Sequence, residues 1–144
     1  MKRRSVACIV IALALLSSGC PKTTAYHNLA VASQAVAHSL KNVQDGVDLA
    51  VSNGVMTQAE RAAFNEYITD VSLYGLALDK AIRDASTTGA SVQVQVDAFL
   101  AAFRKLQVQS LGIKDGNTRL AVSMALSSAE IAVGIIAAFQ QPKG

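Results

Sequence analysis

Residues 118–141 read TRLAVSMALSSAEIAVGIIAAFQQ, and the assignment of this stretch decides the fold. At 100° per residue, Leu120, Met124, Ile131, Ile135 and Phe139 define one face of a helix, and Val122, Leu126, Val133 and Ile136 define another. Only a narrow strip, holding Arg119, Ser123 and Glu130, is polar. A helix that is apolar nearly all round is either the buried centre of a bundle or a membrane element. Length does not separate the two, because about 20 apolar residues suffice to cross a bilayer. Composition does. Ser123, Ser127, Ser128 and Glu130 lie mid-segment, and an acidic residue at the bilayer centre costs about 2.5–3.5 kcal/mol on insertion scales. The expectation is therefore a bundle with this helix as its central element.

Three upstream segments supply the rest of such a bundle. In the first, Leu29, Val36, Leu40, Val43, Val47 and Val51 fall in one arc, opposite His27, Gln34, His38, Lys41, Asp45 and Asp48, and Asn53-Gly54 ends it. The second starts at Thr57, where Thr57 and Glu60 have the spacing of a capping box, each side chain satisfying a free backbone N–H of the other residue. Phe64, Ile68, Val71, Leu78 and Ile82 form its stripe with Gly75 on the same line, and Ser86-Thr87-Thr88-Gly89 closes it. The third starts at Ser91. Its Val92-Gln93-Val94-Gln95-Val96 alternates like a strand, but Val92, Val96, Phe99, Phe103 and Leu106 continue at helical spacing, so the reading is helix. Residues 112–117 make the last turn. The two prolines, Pro21 and Pro142, flank this whole region, which suits helices, since interior proline breaks them. The fold class expected is all-α: an antiparallel four-helix bundle in up-down-up-down order.

The chain has 144 residues, 51% hydrophobic and 16% charged, a composition that suits one folded domain and not a disordered chain. Its net charge of +3 comes from Lys2, Arg3 and Arg4; the remaining ten basic side chains balance ten acidic ones. A neutral domain lacks the concentrated basic surface that phosphate neutralisation requires, so no nucleic-acid partner is expected.

Those three cations open a segment with the parts of an export signal. An apolar run from Val6 to Leu16 follows, too short to span a bilayer, then Ser17-Ser18-Gly19 and Cys20. The run Leu16-Ser17-Ser18-Gly19-Cys20 resembles the lipobox of bacterial lipoproteins, with Ser17 where leucine is most frequent. The resemblance covers the signal segment alone. It implies that residues 1–19 are a cleaved signal peptide and that Cys20 becomes the acylated first residue of the mature chain. Cys8 would leave with the signal, so no intramolecular disulfide is possible, and acylation accounts for the odd cysteine. Two or three acyl chains anchor stably where one is marginal, at about 0.8 kcal/mol per buried methylene. The implied organisation is a lipidated tether over 20–24 and a helical domain over 25–144. The membrane is then reached through lipid, facing periplasm or exterior; in a Gram-negative envelope, Pro21 is not the aspartate that marks inner-membrane retention, so the outer membrane is expected.

Sites of chemistry are not evident in the mature chain. His27 and His38 share a face, but eleven residues put them about 16 Å apart along the axis, too far for one ion. Lys114-Asp115-Gly116-Asn117-Thr118 lacks the closing glutamate and repeated acids of a calcium loop and reads as a turn. The pairs Glu66/Asp70 and Asp45/Asp48 lie on polar faces. No phosphate loop or nucleophile elbow occurs. The expectation is no enzyme, no metal and no cofactor. Leu73 and Leu76 project from the polar side of the second helix, and Val94 and Val108 from that of the third, which makes them the candidate docking residues. The functional expectation is a lipid-anchored envelope protein with a structural or protein-interaction role, by partner contact or self-association. A carrier holding an apolar ligand among Phe64, Phe99, Phe103 and Phe139, and a membrane-active protein with residues 118–141 in the bilayer, are the alternatives.

Overall fold

Four helices joined by short connections make up the chain in a computed structural model that describes residues 21–139: α1 (Pro21–Ser52), α2 (Gln58–Thr88), α3 (Gln93–Ser110) and α4 (Gly116–Ala137). Short links force antiparallel neighbours. Helix α1 packs on α2 and α4, and α3 packs on α2 and α4. The architecture is the all-α four-helix bundle expected. The segment 1–19, Cys20 and the end of the fourth segment, Gln140 and Gln141, lie outside the described residues.

The helix ends follow from local chemistry. Thr57 is the N-cap of α2, and its capping box is complete: the Thr57 N–H donates to Glu60 Oε2 at 2.9 Å, and the Glu60 N–H donates to Thr57 Oγ1 at 3.1 Å. Gly89 ends α2 in the left-handed region at φ 70°, its N–H donating to the Ala85 carbonyl at 2.8 Å, a conformation glycine adopts without Cβ strain. The alternating valines are helical. Val92 and Val96 are both buried, the Val96 N–H donates to Val92 O at 3.0 Å, and Val94 points outward.

Boundaries differ from the sequence reading in three helices, α4 running Gly116–Ala137 where 118–141 was expected. Residues 21–24 belong to α1 and not to a tether; proline at a first helical position has its φ already set and lacks only an N–H that would go unpaired there. Helix α3 begins at Gln93, since Ser91 Oγ accepts the Gln93 N–H at 3.3 Å and so stands just outside the ladder.

The first three stripes form the core. Leu29, Val36, Leu40, Val43 and Val47 of α1, Phe64, Ile68, Val71, Leu78 and Ile82 of α2, and Val92, Val96, Phe99, Phe103 and Leu106 of α3 are all buried, with Val51 partly so. Helix α4 is not central. Each of the four helices occupies one corner of a ring, so each has an outward side. For α4 the inward side is Val122, Leu126, Ala129, Ala132 and Ile136, while Leu120, Met124, Ile131 and Ile135 are 60%, 65%, 65% and 40% exposed. Of its two apolar faces, the bundle uses one.

Candidate interaction surface

The uncovered side of α4 is the most distinctive surface of the molecule, and its orientation is fixed by contacts on both flanks. Toward α1, Ser128 Oγ lies 3.1 Å from Ser39 Oγ, a buried hydroxyl. Toward α3, Glu130 Oε1 accepts from Gln107 Nε2 at 3.4 Å, and the Arg119 guanidinium donates to the Ile113 carbonyl at 3.3 Å. Both charged residues of α4 therefore lie on the α3 side. Glu130 is exposed, so its charge is solvated.

Between these flanks the outer face carries no ionisable group. The α1 flank beside it is also uncharged: Ala35, Asn42, Gly46 and Leu49 follow one another there, Leu49 being 61% exposed. His38 and Asp45 border this flank, one turn from Asn42 and Leu49, while Asp48 turns toward α2. Asp45 pairs with Lys41 within the helix at 3.5 Å, and Asp48 with Arg61 of α2 at 2.8 Å. Helix α4 is also the one helix among the described residues long and apolar enough to cross a membrane by length and composition.

The residues picked from sequence are exposed but not gathered. Leu73 and Leu76 are 58% and 67% exposed, Val94 and Val108 74% and 64%. On α2, Asp70, Asp79 and Lys80 surround the two leucines. On α3, Val94 and Val108 are fourteen residues apart, about 21 Å, and Asp97, Arg104 and Lys105 lie between them on the exposed side. Single apolar side chains among charges are ordinary surface. Sequence reasoning passed over Leu120, Met124, Ile131 and Ile135, although their alignment on one face was visible, because it placed that face inside the bundle.

Two recesses lie elsewhere on the described residues. A groove of about 310 Å³ runs between α1 and α2, lined among others by Val36, Leu40, Val71, Leu76 and Phe99. Gly75 opens it: a Cβ there would meet Phe99 Cε2 at 3.5 Å. A smaller cleft of about 160 Å³ lies where α2 begins, between Phe64 and the Gly112–Asp115 turn. Phe103 is packed in the core, and Phe139 sits against Tyr26 with ring centroids 5.8 Å apart. Of the four phenylalanines, Phe99 lines the groove and Phe64 the cleft.

Two carboxylates at helix starts are perturbed. The backbone hydrogen bond from Thr57 holds the Glu60 carboxyl below its ordinary value, reinforced by the Thr57 hydroxyl and by Lys114. Lys114 Nζ lies 3.5 Å from Glu60 Oε1 and ties the α3–α4 turn to α2. Asp115, which the sequence reading left in a turn, is the N-cap of α4. Its carboxyl accepts from Thr118 Oγ1 at 2.6 Å and from the Thr118 N–H at 2.7 Å, and these bonds hold it below its ordinary value. Both carboxylates serve structure. Among the described residues no cluster of three metal-ligating side chains forms. No protein-family model, curated protein or solved structure matches the chain.

Proposed function

We propose that this is a lipid-anchored helical protein of the bacterial cell envelope, acting through contact with protein. The single observation that carries the contact role is the outer face of α4, which keeps four large aliphatic side chains and no charge in water. Contiguous exposed apolar surface of this kind marks interaction sites on soluble domains. The anchor rests on the lipobox resemblance at Leu16–Cys20. The helical start at Pro21 suits it, because acyl chains on Cys20 would sit one residue from the bundle, beside the end closed by Tyr26 and Phe139. The bundle would then stand with α1's N-terminus, the α2–α3 turn and α4's C-terminus toward the membrane.

Metabolic labelling with a fatty-acid analogue tests the anchor. Wild type takes up label and Cys20→Ala does not; equal label in both, or none in either, ends the lipoprotein reading. A second reading, a carrier of an apolar ligand, draws support from the α1–α2 groove, whose volume is at the small end of ligand sites. It predicts that an environment-sensitive apolar dye binds the wild type and not Gly75→Leu. Equal dye binding by the two would remove it.

A further inference from the structure

The row Leu120, Met124, Ser127, Ser128, Ile131, Ile135 has the same order of sizes read from either end. Leu120 and Ile135 are equally far from the Ser127–Ser128 peptide bond, as are Met124 and Ile131. Ala121 and Gly134 are related in the same way. A row with this property is complementary to itself under a two-fold axis through its middle, the symmetry of an isologous dimer. Building on the contact role proposed above, we infer that the occupant of this face is α4 of a second copy of the chain, packed antiparallel.

Three observations favour a second copy. First, like charges meet only close to a two-fold axis, and the charge nearest this one, Glu130, lies off the apolar row on the α3 flank, so the row itself opposes no like charges. Second, Gly46 and Gly134 are interior helix glycines, and a Cβ at either would meet nothing within 4 Å. Glycine costs helix stability relative to alanine, and no contact among the described residues accounts for it here. Gly134 is on α4's exposed side, and Gly46 lies two turns beyond Ser39 on the α1 flank that borders α4. Close approach of another helix accounts for both, as small residues let backbones come near. Third, the four large side chains offer on the order of 400 Å² of apolar surface, about half of the ~800 Å² per partner in a standard interface. The small residues between them and the uncharged α1 flank extend it toward that size.

A lipid surface is the competing occupant, and the flanks of α4 argue against it. Helices that lie in a membrane interface are rich in Lys and Arg on the polar side, with aromatic residues opposite. Helix α4 has one cation, Arg119, held at the Ile113 carbonyl, and its flanks are otherwise Asn, Ser, Ala and Gly with Glu130.

Thiol-to-thiol crosslinking of the full chain in the membranes of the expressing bacterium tests the register. Ser127→Cys, treated with a short bis-maleimide, should give a band at twice the monomer mass. Leu120→Cys should not, since its two copies would be about 23 Å apart along the pair, but Leu120→Cys with Ile135→Cys should. Leu73→Cys on α2 and the unsubstituted chain give the background. No dimer band from Ser127→Cys above that background overturns the inference, as does an equal band from Leu120→Cys or Leu73→Cys alone. So does a monomeric Ser127→Cys whose thiol is shielded from a water-soluble maleimide in membranes and reactive in detergent, the result for a face lying on lipid. The fatty-acid experiment fails independently: a Ser127→Cys dimer in a chain without label would remove the anchor and keep the pairing.

Discussion

Helix α2 buries Phe64, Ile68, Val71, Leu78 and Ile82, α4 the less bulky set Val122, Leu126, Ala129, Ala132 and Ile136, and the two differ further in what lies opposite. On α2, Glu60, Arg61, Glu66, Asp70, Asp79, Lys80, Arg83 and Asp84 mark the solvent side, and the opposite stripe, Phe64 to Ile82, is buried in full. On α4 only Arg119 and Glu130 are charged, both on one flank, and two aliphatic faces remain. The periodicity of α2 has one solution. That of α4 has two, and the choice depends on neighbours: α1 and α3 cover Val122, Leu126 and Ile136, and none of the other described residues covers Leu120, Met124, Ile131 and Ile135. A hydrophobic face shows that burial is wanted; the count of helices around it shows whether the same chain supplies it.

The largest effects should separate buried from exposed aliphatics on both helices. Leu78→Ala in α2 and Leu126→Ala in α4 each remove a buried side chain and should cost about 2–5 kcal/mol in chemical denaturation. Leu73→Ala and, at concentrations where the protein is monomeric, Leu120→Ala should stay within about 0.5 kcal/mol. A loss at Leu120 equal to that at Leu126 would mean that α4 is enclosed after all. Next in size, Thr57→Ala should cost about 0.5–2 kcal/mol, the usual range for a lost N-cap; no change would mean that α2 draws nothing from its capping box. Gly75→Ala should stabilise α2 by about 0.5–1 kcal/mol, because the new methyl meets Phe99 at ordinary contact distance and helix propensity improves. Destabilisation would show that the groove wall cannot accept it.

The smallest effect is in acid. Glu60 and Asp115 have folded-state values below their unfolded ones, so their contribution is present above the ordinary carboxylate range, near pH 4, and is lost as pH falls through the lower folded values. Glu60→Gln and Asp115→Asn should each flatten the acid limb of a stability–pH curve and leave its slope at neutral pH unchanged. An unaltered acid limb in both variants would contradict the assigned hydrogen bonds.

Most of the fold was legible because its determinants are local or periodic. The stripes of α1 to α3 were readable as single faces, the Thr57/Glu60 box as a start, and Asn53-Gly54 and Gly89 as stops. The Asp115 cap was missed because Thr118, three residues on, cannot return a hydrogen bond as glutamate does, so the spacing has no reciprocal signature. The tether over 20–24 was drawn from the resemblance at Cys20, whereas the backbone from Pro21 follows helix energetics. The interaction face escaped for a different reason. Leu73, Leu76, Val94 and Val108 stand out in sequence as apolar residues among charges, which is what isolates them on the surface. Leu120, Met124, Ile131 and Ile135 have no such contrast around them, and only the ring arrangement of helices turns their face outward.

The central claim, that α4 divides into a face used by the bundle and a face left for contact, is tested most directly by paired polar replacement. Circular dichroism and chemical denaturation would compare Leu120→Gln/Met124→Gln/Ile131→Gln/Ile135→Gln with Val122→Gln/Leu126→Gln/Ile136→Gln. The first variant should keep its helix content and unfold cooperatively as a monomer, and the second should fail to fold. Collapse of the first variant, or a folded second variant, would contradict the account.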